Sequence, residues 1–474
     1  MAIPGLSLPG LTLANNSIHE PSAPAIETNK IETLAARTEY RFETSFGSPT
    51  TIKLISGIAE LFGTELAPNI EYTFRGTKGA IYTWEGCTLE IKGSLESDYV
   101  AEETKMELYA NVHFGLERMR DTARMQGRLG PRVLVVGPEN SGKTSLAKIL
   151  LSYAVKDGRQ PVMVNLDPRQ GMLSLPGSFA AATIASLLDI EEGWGCSPIS
   201  GPSPAPVKMP LCYHFGVEHP EDNPKIFRPL VTRMALAVTS RITEDMAAKE
   251  AGCVIDTSGS LSSGKGNGFD LIQHIVSEFS INVILVMGSE RLHTELRKRL
   301  VTSNGEEPII VLKLDKSEGC VERDASYMKQ LRQQQIREYF FGRGNVILQP
   351  HSQQADFKQL SIFRIYDPSG TSSSFNPGGE DDEYSYTPQF STEKLYERIT
   401  PSLMLQNCLL AVTYAEPNDT QEAIRDSSIM GYVYVADVDE TKNKLKLLSP
   451  VSGNVPPRAI ISGSWPEDVP DLVA

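Results

Sequence analysis

The octapeptide Gly137, Pro138, Glu139, Asn140, Ser141, Gly142, Lys143, Thr144 fits the pattern G-x4-G-K-[ST]. It stands between an apolar run, RVLVV, and a segment of helical period, SLAKILLSYAVK. This pattern constrains the fold because backbone N–H groups converge on a phosphate only where a strand hands over to a helix N-terminus. The glycines allow that approach because they carry no side chain. Lys143 would lie along the β- and γ-phosphates, and the Thr144 hydroxyl would bind Mg²⁺. The segment is therefore expected to hold a nucleotide.

Five apolar runs, RVLVVG, PVMVNLD, CVIDTSG, INVILVMG and PIIVLKLD, alternate with longer helical stretches between about 130 and 343. That alternation predicts an α/β domain, a doubly wound parallel sheet in which all five strands are buried. A guanine-reading N-K-x-D is missing, the nearest string being KLDK at 313–316, so ATP is favoured over GTP. Asp167 and Asp256 each end an apolar strand, where a carboxylate can orient a metal-bound water or accept a proton from an attacking hydroxyl. Thr144 and Asp167 are taken as the Mg²⁺ pair.

The flanks read differently. With 474 residues the chain exceeds one compact core. Residues 1–30 are rich in Pro, Ser and Ala and are expected to form a mobile tail. From 31 to 127, short alternating segments such as EYRFETSF, IEYTFRG, AIYTWEG and CTLEIKGSL predict a small all-β domain, an N-terminal β-sandwich. The P-loop domain is assigned 128–343. Residues 344–474 form a C-terminal β-rich domain, in which MGYVYVADVD and NKLKLLSP are expected to pair as a hairpin. Within it, 367–390 is acidic and rich in Gly and Ser, and is expected to be a disordered insertion.

A net charge of −14 argues against broad binding to nucleic acid or membrane. The six cysteines form no CxxC pair, which indicates neither a disulfide framework nor a zinc ribbon. No apolar run approaches the roughly 18 residues of a membrane span, and a cytosolic or nuclear location is expected. Cys212, His214 and His219 lie close in sequence, but their spacing matches no common zinc pattern. Two cationic stretches, Glu290–Leu300 and Cys320–Gly342, are either solvated helix faces or a lid whose arginines neutralise a transferring phosphoryl group.

The order of parts is more specific than any one of them. TEYRFE and GTKGAIYTWEGC in a β-rich first domain, NLDPRQG, YHFG and IREYFFG in the P-loop domain, and a β-rich third domain together resemble the Clp family. That family comprises RNA 5′-hydroxyl-kinase-like subunits of the pre-mRNA cleavage and polyadenylation machinery. The resemblance implies that Glu39 and Lys78 reach the nucleotide base, and that Asn140, Ser141, Gly142, Lys143, Thr144 and Ser145 form the phosphate cradle. It also implies a nuclear location and a Pcf-type scaffold subunit as partner, with pre-mRNA contacted at most indirectly.

Three departures accompany the matches. Active kinases of this type resemble D/E-x-D-x-G-Q after the second strand; here Asn165 is neutral and Arg169 replaces a glycine, while Asp167 and Gln170 remain. They resemble T-x-G-W after the third; here Ser260 stands for the aromatic residue. They resemble a row of three lid arginines; here Met328 lies between Arg323 and Arg332. All three affect substrate handling and spare the cradle. The resemblance therefore implies a fungal-type, non-catalytic member that holds ATP as a structural cofactor. The alternative is an active polynucleotide 5′-hydroxyl kinase with Asp167 as base and Arg323 and Arg332 as phosphate stabilisers.

Overall fold

The computed structural model describes residues 29–191, 210–263, 266–300, 308–344, 346–366, 394–470 and 472–473. The tail through residue 28, Cys196 and the acidic insertion expected at 367–390 lie outside the described residues.

The chain begins as two facing antiparallel sheets. Its strands are β1 (Asn29–Leu34), β2 (Thr38–Glu43), β3 (Thr50–Gly57), β4 (Glu60–Leu61), β5 (Thr64–Glu65), β6 (Glu71–Phe74), β7 (Lys78–Thr83), β8 (Cys87–Lys92) and β9 (Ser97–Ala101). One sheet runs β1-β8-β3-β6 and the other β5-β4-β7-β2-β9. Side chains alternate across a strand, so β2 sends Tyr40 and Phe42 inward against Ile52, Leu54 and Ile91 of the facing sheet. Its other face carries Glu39 and Arg41, yet both are buried. The central domain covers that face.

The expectation of an all-β domain over 31–127 needs correction. Helix α1 (Met106–Gln126) occupies its last quarter and packs on the central domain. Its buried stripe is Met106, Tyr109, Ala110, His113, Leu116, Arg120 and Ala123. The two polar members, His113 and Arg120, dilute the apolar period that would have revealed it.

The central sheet runs β13-β12-β11-β14-β10-β15-β16. Its members are β10 (Arg132–Val136), β11 (Val162–Leu166), β12 (Ser178–Thr183), β13 (Leu211–His214), β14 (Cys253–Thr257), β15 (Val283–Met287) and β16 (Ile310–Leu314). The five expected strands pair in parallel, and β12 and β13 extend them antiparallel. SFAAAT and LCYH are too poor in β-branched residues to announce themselves. β16 is not the buried strand expected: it is an edge strand with Ile310 and Leu312 exposed.

Helices α2 (Lys143–Lys156), α3 (Pro224–Glu244), α4 (Met246–Ala251), α5 (Gly268–Glu278), α6 (Glu290–Leu300) and α7 (Ala325–Phe341) complete the domain. The third domain is a seven-stranded sheet in which Ile429–Asp439 and Lys444–Ser449 form the expected hairpin. One face of that sheet holds its own core of Val412, Val433, Val435, Leu445 and Leu447. The other presents Ala411, Tyr432, Tyr434 and Ile461 to the central domain.

Candidate nucleotide site

A cavity of about 320 Å³ lies where the sandwich, the phosphate loop and α7 meet. This falls within the usual size range of small-molecule sites. Each of Glu39, Lys78, Asn140, Ser141, Gly142, Lys143, Thr144, Ser145, Asp167 and Arg323 lines it, and Arg332 does not.

The phosphate loop has the backbone that its sequence requires. Gly142 sits at φ +85°, and a Cβ there would meet Cys320 Sγ at 2.8 Å. Asn140 also takes a left-handed conformation, at φ 54°. Lys143 is buried and donates to the Pro138 carbonyl at 2.8 Å, a contact that a phosphate oxygen can replace. Burial pushes its pKa down, and the carboxylates of Asp256 and Asp167 partly oppose that shift.

Thr144 Oγ1 donates to Asp256 Oδ2 at 2.5 Å. The Thr144 hydroxyl, expected at a metal beside Asp167, thus has Asp256 as its carboxylate partner. Parallel pairing of β10 with β14 brings Asp256 beside the phosphate loop, whereas Asp167 lies past the end of β11. Burial raises the Asp256 carboxyl to about 6, against the lowering pull of Lys143 and Thr144. A fully buried carboxyl next to a hydroxyl, an ammonium and a helix N-terminus suits a Mg²⁺–triphosphate. The donor set fits that group.

Asp167 faces the cavity, but its carboxylate accepts from Arg169 N–H at 3.0 Å and from Gln170 Nε2 at 3.1 Å. Asn165 braces the same loop through the Gln170 carbonyl and the Asp167 N–H. The Arg169 guanidinium pairs with Glu139 of the phosphate loop and lies 3.4 Å from Glu218. Ser260, where the kinases resemble a tryptophan, donates to Glu221 at 2.8 Å. Gly259 allows that loop to lie against the phosphate loop, since a Cβ there would meet the Glu139 nitrogen at 2.7 Å.

The sandwich contributes Glu39, Arg41 and Lys78. Glu39 accepts from Arg41 Nε at 2.5 Å and from Thr104 Oγ1 at 2.7 Å. Lys78 pairs with Glu43 and lies 5.2 Å from the Tyr327 ring centre. Arg41 also donates to the Glu103 carbonyl at 2.9 Å and packs on Gly319. The sequence reading missed Arg41. Its signal was present in TEYRFE, where position 41 shares the face of position 39.

The lid is α7 with the segment before it. Arg323 donates to Asn140 Oδ1 at 3.1 Å and to Gln170 Oε1 at 3.0 Å, and Tyr327 donates to the Gly76 carbonyl at 2.7 Å. Arg332 does not reach the cavity as a lid arginine would; its guanidinium forks onto Glu467 at 2.6 and 2.9 Å. Tyr327, Met328, Leu331, Gln334, Gln335 and Glu338 form the cavity face of α7. At 3.6 residues per turn, position 332 falls roughly 100° away from the middle of that face.

Helix α6 points elsewhere: Arg299 pairs with Glu295 and Asp270 and lies over Phe269. Cys212, His214 and His219 build no metal site. Among the described residues the one cluster of His, Cys, Asp or Glu at ligating distance is His113, Glu117 and Asp157. There Arg120 and Arg159 already hold Glu117. His214 lies 3.3 Å from the Tyr432 hydroxyl, and burial alone lowers its pKa to about 4.

These features define a three-domain P-loop protein whose nucleotide cavity is roofed by a β-sandwich and a lid helix. Three family models match in the same order: the N-terminal beta-sandwich domain of polyadenylation factor over 33–123, the mRNA cleavage and polyadenylation factor CLP1 P-loop over 137–342, and the pre-mRNA cleavage complex II protein Clp1 over 348–467. The chain belongs to the Clp1 family of mRNA cleavage and polyadenylation factors. It is 57% identical to the mRNA cleavage and polyadenylation factor CLP1 of Phaeosphaeria nodorum, over 99% of this chain and 100% of that one. It is 51% identical to the factor of the same name from Botryotinia fuckeliana, over 98% of each.

Among solved structures, wild-type Clp1p in complex with Pcf11p residues 454–563 superposes with a TM-score of 0.79 at 29% identity, covering 93% of this chain and 98% of that one. A second structure, describing an extended Pcf11p–Clp1p interface and ATP loss in a glycine-to-arginine point mutant, gives 0.80 at 28%, over 92% and 98%.

Proposed function

We propose that this protein is an ATP-holding, non-catalytic subunit of the nuclear pre-mRNA 3′-end cleavage and polyadenylation machinery, and that it binds a Pcf11-type scaffold. The observation that carries the reading is the pairing of Arg169 with Glu139, which sets a large side chain across the edge of the phosphate loop. An incoming hydroxyl would need that space. The remaining departures act in the same direction: Ser260 offers no aromatic face for a base, and Met328 brings no charge to the cavity.

ATP and Mg²⁺ would be held by the N–H groups of Asn140–Ser145, by Lys143, and by Thr144 with Asp256. The metal supplies charge neutralisation at the β- and γ-phosphates. The sandwich closes the base end through Glu39, Arg41 and Lys78, so the bound nucleotide would touch two domains and the lid. A ligand held at 1,000 times its Kd stabilises a fold by about 4 kcal/mol, a sizeable share of total stability. The full-length likeness to Clp1p of the Pcf11p complex supports the choice of partner.

The test is paired. Acid-extracted protein, purified without added nucleotide, is expected to release close to one equivalent of intact ATP. Incubation with γ-labelled ATP and a 5′-hydroxyl RNA is expected to leave the RNA unlabelled. Label on the RNA that vanishes in Asp167→Ala would overturn the reading and make the protein a polynucleotide kinase.

A further inference from the structure

The segment from Gly463 to Pro470 crosses the back of the lid and touches the loop after β11. Trp465 donates from its indole nitrogen to the Pro168 carbonyl at 3.0 Å, next to Asp167 and Arg169. The Ser464 and Trp465 amides both donate to the Gly216 carbonyl, at 2.9 and 3.2 Å, which fixes the strap to the central domain. The Arg332 guanidinium lies 4.3 Å from the Trp465 ring centre and forks onto Glu467. Its side chain is 7% exposed and that of Glu467 is 24% exposed. One turn further on, Arg337 donates to the Leu472 carbonyl at 3.5 Å.

We infer that Glu467 and Trp465 are positioning residues that latch α7 closed over the nucleotide cavity and hold Arg332 away from the phosphates. Toward the cavity, Arg323 and Tyr327 tie the lid to the phosphate loop and to the sandwich. Behind it, the latch ties the lid to the third domain. The lid therefore cannot swing out as a body unless the Arg332–Glu467 fork opens. A bidentate guanidinium–carboxylate pair with an aromatic ring beneath the cation resists that opening more than a solvated surface pair would. The C-terminal domain then governs how long the nucleotide stays, a role that rests on the nucleotide-holding reading.

The experiment uses the full chain, with mant-ATP as probe. Glu467→Gln keeps the shape of the side chain and removes its charge. It is expected to speed mant-ATP dissociation, chased with excess unlabelled ATP, by at least about tenfold, or about 1.4 kcal/mol of barrier. Glu467→Asp, which keeps the charge, is expected to recover most of the slow release. Hydrogen exchange without nucleotide forms the second arm, with Ala325–Phe341 expected to exchange faster in Glu467→Gln than in the unmodified protein. Unchanged dissociation together with unchanged exchange would overturn the latch. An unmodified protein that neither carries ATP on purification nor takes up mant-ATP would overturn the nucleotide reading instead, and the exchange arm would judge the latch alone.

Discussion

On the phosphate side of the cavity, Lys143 rests on the Pro138 carbonyl and Thr144 on Asp256, contacts that a phosphate oxygen and a magnesium ion can take over. Across from them, Arg169 is committed to Glu139, Ser260 to Glu221 and Arg332 to Glu467. The first set consists of groups whose present contacts a ligand can replace. The second consists of groups already satisfied by the protein. Binding a triphosphate and delivering its phosphoryl group need different residues, so one can persist while the other is filled in. Arg332 illustrates this: its charge, which phosphoryl transfer could use, is paired with Glu467.

The sharpest way to break the comparison is at Lys143. Lys143→Ala removes a charge-assisted contact worth roughly 3 kcal/mol, so ATP affinity should fall about a hundredfold. Nucleotide content of the purified variant, by chromatography of an acid extract, measures it. Retained ATP would mean that the phosphate loop is not what holds the nucleotide. Loss of the scaffold along with ATP would couple the nucleotide to assembly.

Acidity gives a smaller and graded effect. Burial pushes the Asp256 carboxyl up to about 6, against the pull of Lys143 and Thr144 beside it and with repulsion from Asp167 adding to the rise. Bound Mg²⁺ would favour the ionised form. Affinity for Mg²⁺–ATP should be level above pH 6 and then fall by about tenfold for each pH unit below it. Without nucleotide the sign reverses. A carboxyl whose folded pKa lies above its ordinary 3.8 is easier to bury protonated, so the empty fold loses stability as pH rises from about 4 to 6. Isothermal titration between pH 5 and 7.5 checks the binding limb, and Asp256→Asn should flatten it.

Much of this was legible in the chain. A strand, G-x4-G-K-T and a helix can be satisfied in only one way, and the five parallel strands followed from apolar runs of the right length. What escaped depended on packing between domains. Arg41 escaped because a strand does not record what lies against it, and here a second domain does. Helix α1 was hidden by His113 and Arg120, polar residues in a stripe that is otherwise apolar. Arg332 and Glu467 are 135 residues apart, and no local pattern announces their pairing. The phase of α7 gave no warning, because 328, 331, 332 and 335 recur at i, i+3, i+4 and i+7, the spacing of one stripe.

The smallest effect is expected at the other cationic stretch, and it sharpens what is meant by a lid. Helix α6 carries Arg297, Lys298 and Arg299 in its last turn, where positive charge suits the helix dipole. None of the three lines the cavity. A cluster of arginines in a P-loop domain is therefore not by itself evidence of phosphoryl-transfer machinery; the direction in which each one points decides. Arg297→Ala should change stability by less than about 0.5 kcal/mol, as surface substitutions do, and should leave ATP content unchanged. A drop in bound ATP in this variant would extend the ligand-facing side of the cavity to α6, which the geometry assigns to solvent.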